Sequence, residues 1–326
     1  MPVDGGVRSE GRVERVLALR SFPGLAEVDP KHLALLADVA KERVFTKGTA
    51  LIVPGTPVRA MHLIRRGDVA VLVDGIARRS YAAGALVGGI AALTRDPKGQ
   101  HVVATTDTRT FEIDRDDFSD VLEESFSLLH SALRGMLRTA LDARRAIPEN
   151  AGFAALPMSE EAGRASSELG IVERAMFVRR LMTYGSARVE ALAELAREMT
   201  VLRVSAGTEL FRLGEAAPYS LLVHSGVVAC ETGTAQRFRL GPDSVVGGID
   251  SIAGEPRWYS AVAETDLVAL RADTAHLMDV IEDHPDMGLD MLRSAARILA
   301  ELQEKVYRAV GSTPSPLAVR RDRPAP

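Results

Sequence analysis

The four residues Val-Gly-Gly-Ile at positions 87–90 occur again, unchanged, at positions 246–249. The two copies lie 159 positions apart, and the same offset aligns residues on both sides of them without a gap. Glycines that keep their register mark turns shared by two copies of one fold. The chain is therefore predicted to be a tandem duplication of one module. The offset places Gly48 on Gly207, Gly55 on Gly214, Gly67 on Gly226, Pro97 on Pro256 and Arg134 on Arg293.

The offset also sets the domain boundaries. The 326 residues divide into two modules of about 130 residues, each long enough to bury a core of its own. The segment between them is rich in helix breakers and polar residues, and the C-terminal end holds four prolines without an apolar period. The sequence predicts domain 1 over 12–145, a linker over 146–171, domain 2 over 172–310 and a disordered tail over 311–326.

Composition excludes several classes of protein. A net charge of −4 gives no broad attraction to nucleic acid or to an anionic membrane. The longest nonpolar stretch, residues 81–93, has 13 residues, whereas a membrane-spanning helix needs about 20. Cys230 is the only cysteine, which fits a reducing cytoplasm. The seven histidines are scattered, and no nucleophile or phosphate-loop motif is present, so we expect a cytoplasmic protein that is not an enzyme.

Within one module the hydrophobic period changes from helical to alternating and back. Two short helices joined at Pro23-Gly24 precede strands from Val44 onward. We interpret Arg66-Gly67-Asp68 and Asp74-Gly75 as hairpin turns. A helix with Phe118 to Leu137 on one face then follows, capped by Asp114 or Asp116, and in the second copy by Asp273 or Thr274. The predicted fold is mostly β with flanking helices: two antiparallel β-rolls of the jelly-roll type in tandem.

The order of these elements resembles a known sensor domain. A helix, then Gly48, Gly55 and Gly67, then a glycine-containing segment and Ala-x-Thr at 104–106 is similar to the cyclic-nucleotide-binding domain of the catabolite activator protein and of the protein kinase A regulatory subunit. The resemblance implies a cassette of the form Phe-Gly-Glu-(Leu/Ile)-Ala-Leu, with an Arg nine positions after the Glu. In that family the Arg pairs with the cyclic phosphate and the Glu accepts from the ribose 2′-hydroxyl.

Both copies depart from this pattern at the carboxylate. Gly89 and Gly248 stand in place of the Glu, which removes on the order of 1.5–3 kcal/mol of interaction with the ribose. Tyr259 stands near the cation and is expected to crowd the phosphate. We expect the second copy to be the better site, because an Arg offers a planar fork and a Lys only a point charge. The resemblance implies cAMP, cGMP or another cyclic nucleotide, bound by Gly88, Gly89 and Lys98 in the first copy or by Gly247, Gly248, Arg257 and Ser260 in the second.

Three functions are compatible with these observations. The first is a non-enzymatic regulatory or sensor protein that changes its interface with an unidentified protein partner when a ligand binds. The second is a ligand-independent adaptor or scaffold that uses the rolls as interaction surfaces. The third, a metal-dependent enzyme of the cupin type, requires clustered His and Glu that the sequence lacks.

The ends of the modules suggest how the chain assembles. Leu292, Leu299 and Val306 are spaced by seven residues, so the C-terminal helix forms either a homodimer seam or a contact with its own roll. No winged helix-turn-helix follows the second copy, so direct DNA binding is not expected.

Overall fold

The two halves of the chain fold into the same series of helices and strands. The computed structural model describes residues 11–73, 75–95, 101–147, 169–181 and 187–310. In the first half the elements are α1 (Arg12–Arg20), a 3-10 helix (Pro23–Leu25), α2 (Pro30–Val39), β1 (Lys41–Phe45), β2 (Ala50–Ile52), β3 (Ala60–Arg66), β4 (Val69–Val73), β5 (Ile76–Tyr81), β6 (Leu86–Val87), α3 (Gly89–Thr94), β7 (His101–Ala104), β8 (Thr108–Asp114), α4 (Arg115–Glu124) and α5 (Phe126–Arg145).

The second half repeats this order at the predicted offset. Helices α2 and α7 both have ten residues, and they begin at Pro30 and Val189, 159 positions apart. The duplication predicted from the glycines is thereby confirmed. The elements are α6 (Ile171–Arg180), α7 (Val189–Glu198), β9 (Thr200–Val204), β10 (Glu209–Phe211), β11 (Tyr219–Ser225), β12 (Val228–Thr232), β13 (Arg237–Leu240), β14 (Val245–Val246), α8 (Gly248–Ala253), β15 (Tyr259–Ala263), β16 (Leu267–Asp273), α9 (Thr274–Asp283) and α10 (Pro285–Val310).

Each half forms a roll of two antiparallel sheets. In the described part of the chain, the first roll (β1–β8) has the strand orders β1-β8-β3-β6 and β2-β7-β4-β5. The second roll (β9–β16) has the corresponding orders β9-β16-β11-β14 and β10-β15-β12-β13. Side chains alternate across each strand, so one face of every sheet lines the interior of its roll. The predicted pair of antiparallel β-rolls with flanking helices is confirmed.

One turn differs from its predicted role. Strand β4 pairs with β5, so the hairpin predicted at Gly75 is correct. Strands β3 and β4, however, belong to different sheets, so the interpretation of Arg66-Gly67-Asp68 as a hairpin turn is wrong. This turn carries the chain from one sheet to the other. A Cβ on Gly67, whose φ is +88°, would lie 2.5 Å from the carbonyl oxygen of Asp107, so the crossing admits only glycine.

The helical regions after each roll are interrupted where one continuous helix was predicted. Ser125 adopts an extended conformation between α4 and α5, and its hydroxyl accepts from the backbone N–H of Leu128. His284 separates α9 from α10, because the following Pro285 disfavours a helical conformation in the residue before it. Asp114 caps α4 as predicted, by accepting from the N–H of Asp116. Asp273 is the N-terminal flanking residue of α9, but its carboxylate accepts from Arg271 instead.

The division between the two compact units of the chain falls inside α5. The described residues up to Ser131 belong to one unit, and Ala132–Ala309 form the other. The end of α5, predicted to belong to domain 1, is thus part of the second unit. Of the predicted linker, residues 148–168 lie outside the described residues, as does the predicted tail over 311–326. Helix α6 begins at Ile171, one residue before the predicted start of domain 2.

The C-terminal helix packs within its own chain. The side chains proposed for a seam between two chains are all buried in the protein's own core, with at most 8% of their surface exposed. Forming an intermolecular seam from this face would first require removing it from that core. The residues concerned are Leu292, Ala295, Leu299, Leu302 and Val306.

Candidate functional site

The second cassette (residues 246–253) begins with a glycine turn that leads from β14 into α8. Gly247 has a φ of +72° and precedes the first residue of the helix, Gly248. A Cβ on Gly247 would overlap the guanidinium of Arg257, and a Cβ on Gly248 would overlap the side chain of Val245. The two glycines are therefore needed for close packing. The structure brings three of the predicted site residues, Gly247, Gly248 and Arg257, together.

The guanidinium of Arg257 is enclosed by the protein. Only 1% of the residue is exposed. Its Nη1 donates to the carbonyl oxygen of Gly247 at 2.9 Å, and its Nη2 donates to the carbonyl oxygen of Tyr219 at 2.6 Å. Its Cζ lies 4.1 Å from the ring centroid of Phe211 and 4.8 Å from that of Tyr219, within cation–π range. These contacts hold the guanidinium in one place and separate it from solvent.

The anion opposite Arg257 belongs to the chain itself. The Oδ1 of Asp250, in the first turn of α8, lies 3.4 Å from Nη1 of Arg257, and both side chains are fully buried. Oδ1 also accepts from the backbone N–H of Ser251. Burial raises the pKa of Asp250. The charge of Arg257 and the backbone N–H groups near the carboxyl, that of Ser251 among them, oppose this rise. The cassette thus contains a carboxyl group of its own beside the cation for which the resemblance implies a ligand phosphate.

Tyr259 closes the same cassette from the interior of the second roll. Its hydroxyl oxygen accepts from the N–H of Gly247 at 2.7 Å, and burial raises its pKa well above the ordinary value. The ring packs against Phe211, Phe238 and Trp258, with centroid separations of 5.4, 5.1 and 4.8 Å. Tyr259 was expected to crowd a ligand phosphate. In the structure its hydroxyl accepts the hydrogen bond that the N–H of Gly247 would otherwise donate to a ligand.

Ser260 is placed away from the cassette. Its hydroxyl accepts from the backbone N–H of Leu213 at 2.9 Å, beyond the end of β10. It therefore supports the sheet edge instead of joining Arg257. Cys230, also in this roll, is buried among apolar side chains, and burial raises the pKa of its thiol to about 12.

The end of α5 covers the C-terminal end of α8. The Nε of Arg138 donates to the carbonyl oxygen of Ala253 at 3.1 Å and lies 3.0 Å from a carboxylate oxygen of Glu255. The guanidinium of Arg144 lies 5.6 Å from the ring centroid of Trp258, and burial lowers its pKa to about 10. The second cassette is thus packed by its own helix, by the roll interior and by α5.

The first cassette (residues 87–94) has the same backbone and different side chains. Gly88 has a φ of +80°, and a Cβ there would lie 2.7 Å from the side chain of Ile52. A Cβ on Gly89 would lie 3.0 Å from Leu86. Ala91, buried in α3, stands at the position that corresponds to Asp250, so this cassette has no internal carboxylate there. The predicted cation Lys98 lies outside the described residues.

The interiors of the two rolls also differ in polarity. Four buried polar side chains of the first roll stand at positions where the second roll has apolar ones. His62 and Thr110 are hydrogen-bonded to each other, with 3.2 Å between Nδ1 and Oγ1. The pairs related by the offset are His62 and Leu221, Arg79 and Phe238, Thr108 and Leu267, and Thr110 and Ala269.

We expect His62 to make the first roll sensitive to acid. Burial lowers the pKa of His62 from 6.5 to about 4, so the unfolded chain binds more protons than the folded one between these values. The contribution of His62 to the free energy of unfolding should therefore be fully present above pH 6.5. At pH 5 the free energy of unfolding should be lower by about 2 kcal/mol. Urea unfolding followed by circular dichroism at pH 7 and pH 5 measures this fall. The double variant His62→Leu with Thr110→Ala, which copies the second roll, should lose this contribution; an equal fall in the variant would contradict the assignment to His62.

The chain matches a known domain family in both of its halves. The profile of the cyclic nucleotide-binding domain matches residues 42–125 and 201–284, together more than half of the chain. The chain belongs to the cyclic nucleotide-binding domain family. Each match covers one roll and its glycine turn, so the resemblance inferred from the glycines is confirmed. The chain holds two cyclic nucleotide-binding domains in tandem.

Curated relatives with this domain include ion channels and a kinase subunit. The chain is 34% identical over 104 residues to the potassium/sodium hyperpolarization-activated cyclic nucleotide-gated channel 2 of Mus musculus, covering 32% of this chain and 12% of the channel. It is 28% identical over 106 residues to the cAMP-dependent protein kinase regulatory subunit of Aspergillus niger, covering 32% of this chain and 26% of the subunit. These matches therefore span only a small part of each relative's length.

A solved structure of a kinase regulatory domain also aligns with the chain. The regulatory domain of Toxoplasma gondii PKA, crystallised with cAMP, aligns over 90% of this chain and 97% of its own, with 14% identity and a TM-score of 0.34. A score of this size supports no finer comparison.

The described ranges lack two further features. No helix there combines the length and apolar character needed to cross a bilayer. No group of three His, Cys, Asp or Glu side chains there is arranged to hold a metal ion.

Proposed function

We propose that the chain is a non-enzymatic, cytoplasmic regulatory protein whose first cyclic nucleotide-binding domain takes up a cyclic nucleotide. The second domain is filled by its own side chains and acts as an interaction module for a protein partner. The observation that carries the proposal is the buried pair of Asp250 and Arg257. Sequence alone favoured the second copy, because Arg257 is the better anion ligand. Its burial against an internal carboxylate favours the first copy instead.

Electrostatic repulsion supports the assignment of ligand binding to the first domain instead of the second. A cyclic phosphate beside Arg257 would lie next to the carboxylate of Asp250, and two like charges about 4 Å apart repel by about 4 kcal/mol at a typical effective dielectric constant. The first cassette has Ala91 at the corresponding position and meets no such repulsion. Ligand binding there shifts the first domain between two states by no more than its difference in affinity for them.

The filled second cassette favours a ligand-independent role for that domain. Two nitrogens of its guanidinium and its glycine N–H make hydrogen bonds within the chain, and its aromatic side chains pack on one another. Contacts within the chain therefore take the place of the contacts that a ligand would make in an open cassette. The adaptor function suggested by the sequence therefore applies to the second domain, and the sensor function to the first.

Titration calorimetry of the full chain with cAMP, cGMP and cyclic dinucleotides tests the proposal. We expect binding of one cyclic nucleotide per chain. Lys98→Ala, which removes the predicted cation of the first cassette, should weaken it by tenfold or more. Lys41→Ala, an exposed lysine in the same roll, is the matched control and should leave the affinity unchanged. Two bound nucleotides per chain would contradict a filled second domain. No binding at millimolar ligand would leave only the adaptor function.

A further inference from the structure

The first helix of each module carries two apolar side chains that the described residues leave uncovered. In α1, Val13 and Leu17 are 73% and 62% exposed. In α6 the corresponding residues, Val172 and Met176, are 67% and 65% exposed. Residues four positions apart lie on the same face of a helix. Each helix packs on its module through its other side, which in α1 includes the fully buried Leu19.

The two modules share this apolar face although their exposed charges differ elsewhere. Two exposed charges of α2 are reversed in α7, where Lys31 corresponds to Glu190 and Asp38 to Arg197. The first helix, in contrast, has a valine at the first exposed position in both copies and a long apolar side chain at the second. An exposed apolar pair adds nothing to the core of its own module. Its presence in both copies therefore indicates a contact surface.

An arginine extends each face by a further turn. Arg20 in α1 and Arg179 in α6 follow the second apolar residue by three positions, and both are exposed. Among the described residues, neither has a hydrogen-bond or ion-pair partner. Glu14 lies at the other end of α1, where its carboxylate accepts from the N–H of Gly11 at 2.9 Å. Each apolar pair is thus flanked by a positive charge that lacks a counter-charge within the described chain.

We propose that α1 and α6 each dock an amphipathic helix of a partner protein whose apolar face is flanked by acidic residues. Apolar side chains at positions i and i+4, with a charge at i+7, form the kind of stripe along which one helix packs on another. An acidic flank on the partner supplies the counter-charge that Arg20 and Arg179 lack. A second copy of this chain fits less well, because its own faces would bring another arginine to the contact.

The inference gives the chain two equivalent docking sites, one in each module. For the second domain it rests on the proposed function, because it names the surface through which that domain acts as an interaction module. For the first domain it adds a binding surface on a different element from the cassette. Docking at either helix requires no nucleotide.

Titration calorimetry of the full chain with two synthetic helical peptides tests the inference. Both peptides have leucine at the same helical spacing, but glutamate flanks the leucines in one and lysine in the other. We expect two glutamate-flanked peptides to bind per chain, about tenfold more tightly than the lysine-flanked peptide. Val13→Gln with Leu17→Gln should weaken one site by about a hundredfold, and Val172→Gln with Met176→Gln the other. Glutamine removes the apolar surface and preserves helix propensity.

Charge reversal and a matched control separate specific docking from general stickiness. Arg20→Glu with Arg179→Glu should reverse the preference, so that the lysine-flanked peptide binds more tightly. Val53→Gln with Ile76→Gln removes two exposed apolar side chains from the first roll and should leave both sites unchanged. Circular dichroism should show the same fold for every variant, because all the substituted side chains are exposed.

Several results would overturn the inference. They are the absence of peptide binding at millimolar concentration, equal affinity for the two peptides, and binding that survives all four glutamine substitutions on the helices. Binding to vesicles of phosphatidylserine and phosphatidylcholine without binding to peptide would overturn it in favour of an anionic membrane. A dimer in light scattering that the glutamine variants lose would overturn it in favour of a second copy. Titration with cyclic nucleotides is independent of these results, so the proposed nucleotide binding stands or fails separately.

Discussion

Replacing Arg257 with methionine should lower the free energy of unfolding of the second roll by about 3–5 kcal/mol. The substitution removes the cation and leaves the carboxylate of Asp250 fully buried. Removing one partner of a buried ion pair costs more than removing both, because the remaining charge has lost its solvation and its counter-ion. The double variant Arg257→Met with Asp250→Ala should therefore recover most of the loss.

The loss of stability in Arg257→Met should depend on pH, and the direction of this dependence identifies Asp250 as the cause. Burial already raises the pKa of Asp250, and removing Arg257 takes away the charge that opposes this rise. A carboxyl whose pKa is higher in the folded state binds more protons there, so the folded state loses stability as pH rises above the unfolded value. The difference between Arg257→Met and the unmodified protein should consequently be smaller at pH 5 than at pH 8.

Fluorescence offers a local readout of this unfolding. Trp258 is the only tryptophan in the sequence, and it stacks on Phe238 inside the second roll. Urea unfolding followed at this residue therefore reports on the second roll. Arg239→Met serves as the control, because Arg239 and Glu264 form an exposed pair whose loss should cost less than about 1 kcal/mol. A comparably small loss in Arg257→Met would show that the buried pair contributes little to stability.

The architecture could be predicted because the turn glycines keep the same spacing in both copies. Gly67 and Gly226 stand where the chain crosses between sheets, and a Cβ at either position would collide with backbone atoms. Such positions tolerate no other residue, so their spacing survives when the surrounding side chains change. The break at His284 was also foreseeable from Pro285, whereas the break at Ser125 has no comparable marker in the sequence.

The occupancy of the second cassette was harder to predict. Asp250 was visible as the acidic residue seven positions before Arg257. Whether the carboxylate faces the guanidinium or solvent depends on how α8 is set against β11, which spacing alone does not determine. The available signal was the contrast between copies, since Asp250 and Tyr259 together replace Ala91 and Gln100. Two substitutions that both add an internal partner to one cassette are the signal in the sequence for the filled second domain that we propose.

Reversing these two substitutions should create a ligand site in the second roll. In Asp250→Ala with Tyr259→Gln, the guanidinium of Arg257 loses its internal anion and the N–H of Gly247 loses its acceptor. Removing a repulsion of about 4 kcal/mol should strengthen the binding of cGMP or cAMP to this roll by at least about a hundredfold. Trp258, which lies beside both substituted positions, should report the binding as a saturable change in fluorescence at micromolar ligand.

The controls separate an opened site from a general change in charge. Glu231→Ala removes an exposed carboxylate from the same roll and should produce no binding signal at Trp258. Adding Arg257→Met to the opened variant should abolish the gain, because no guanidinium remains for the phosphate. Asp250→Asn with Tyr259→Gln tests the charge alone while preserving the shape of the side chain. If either opened variant keeps its fold by circular dichroism and yet ignores millimolar nucleotide, then Asp250 and Tyr259 do not stand in for a ligand, and the second roll is closed by something other than its own internal anion.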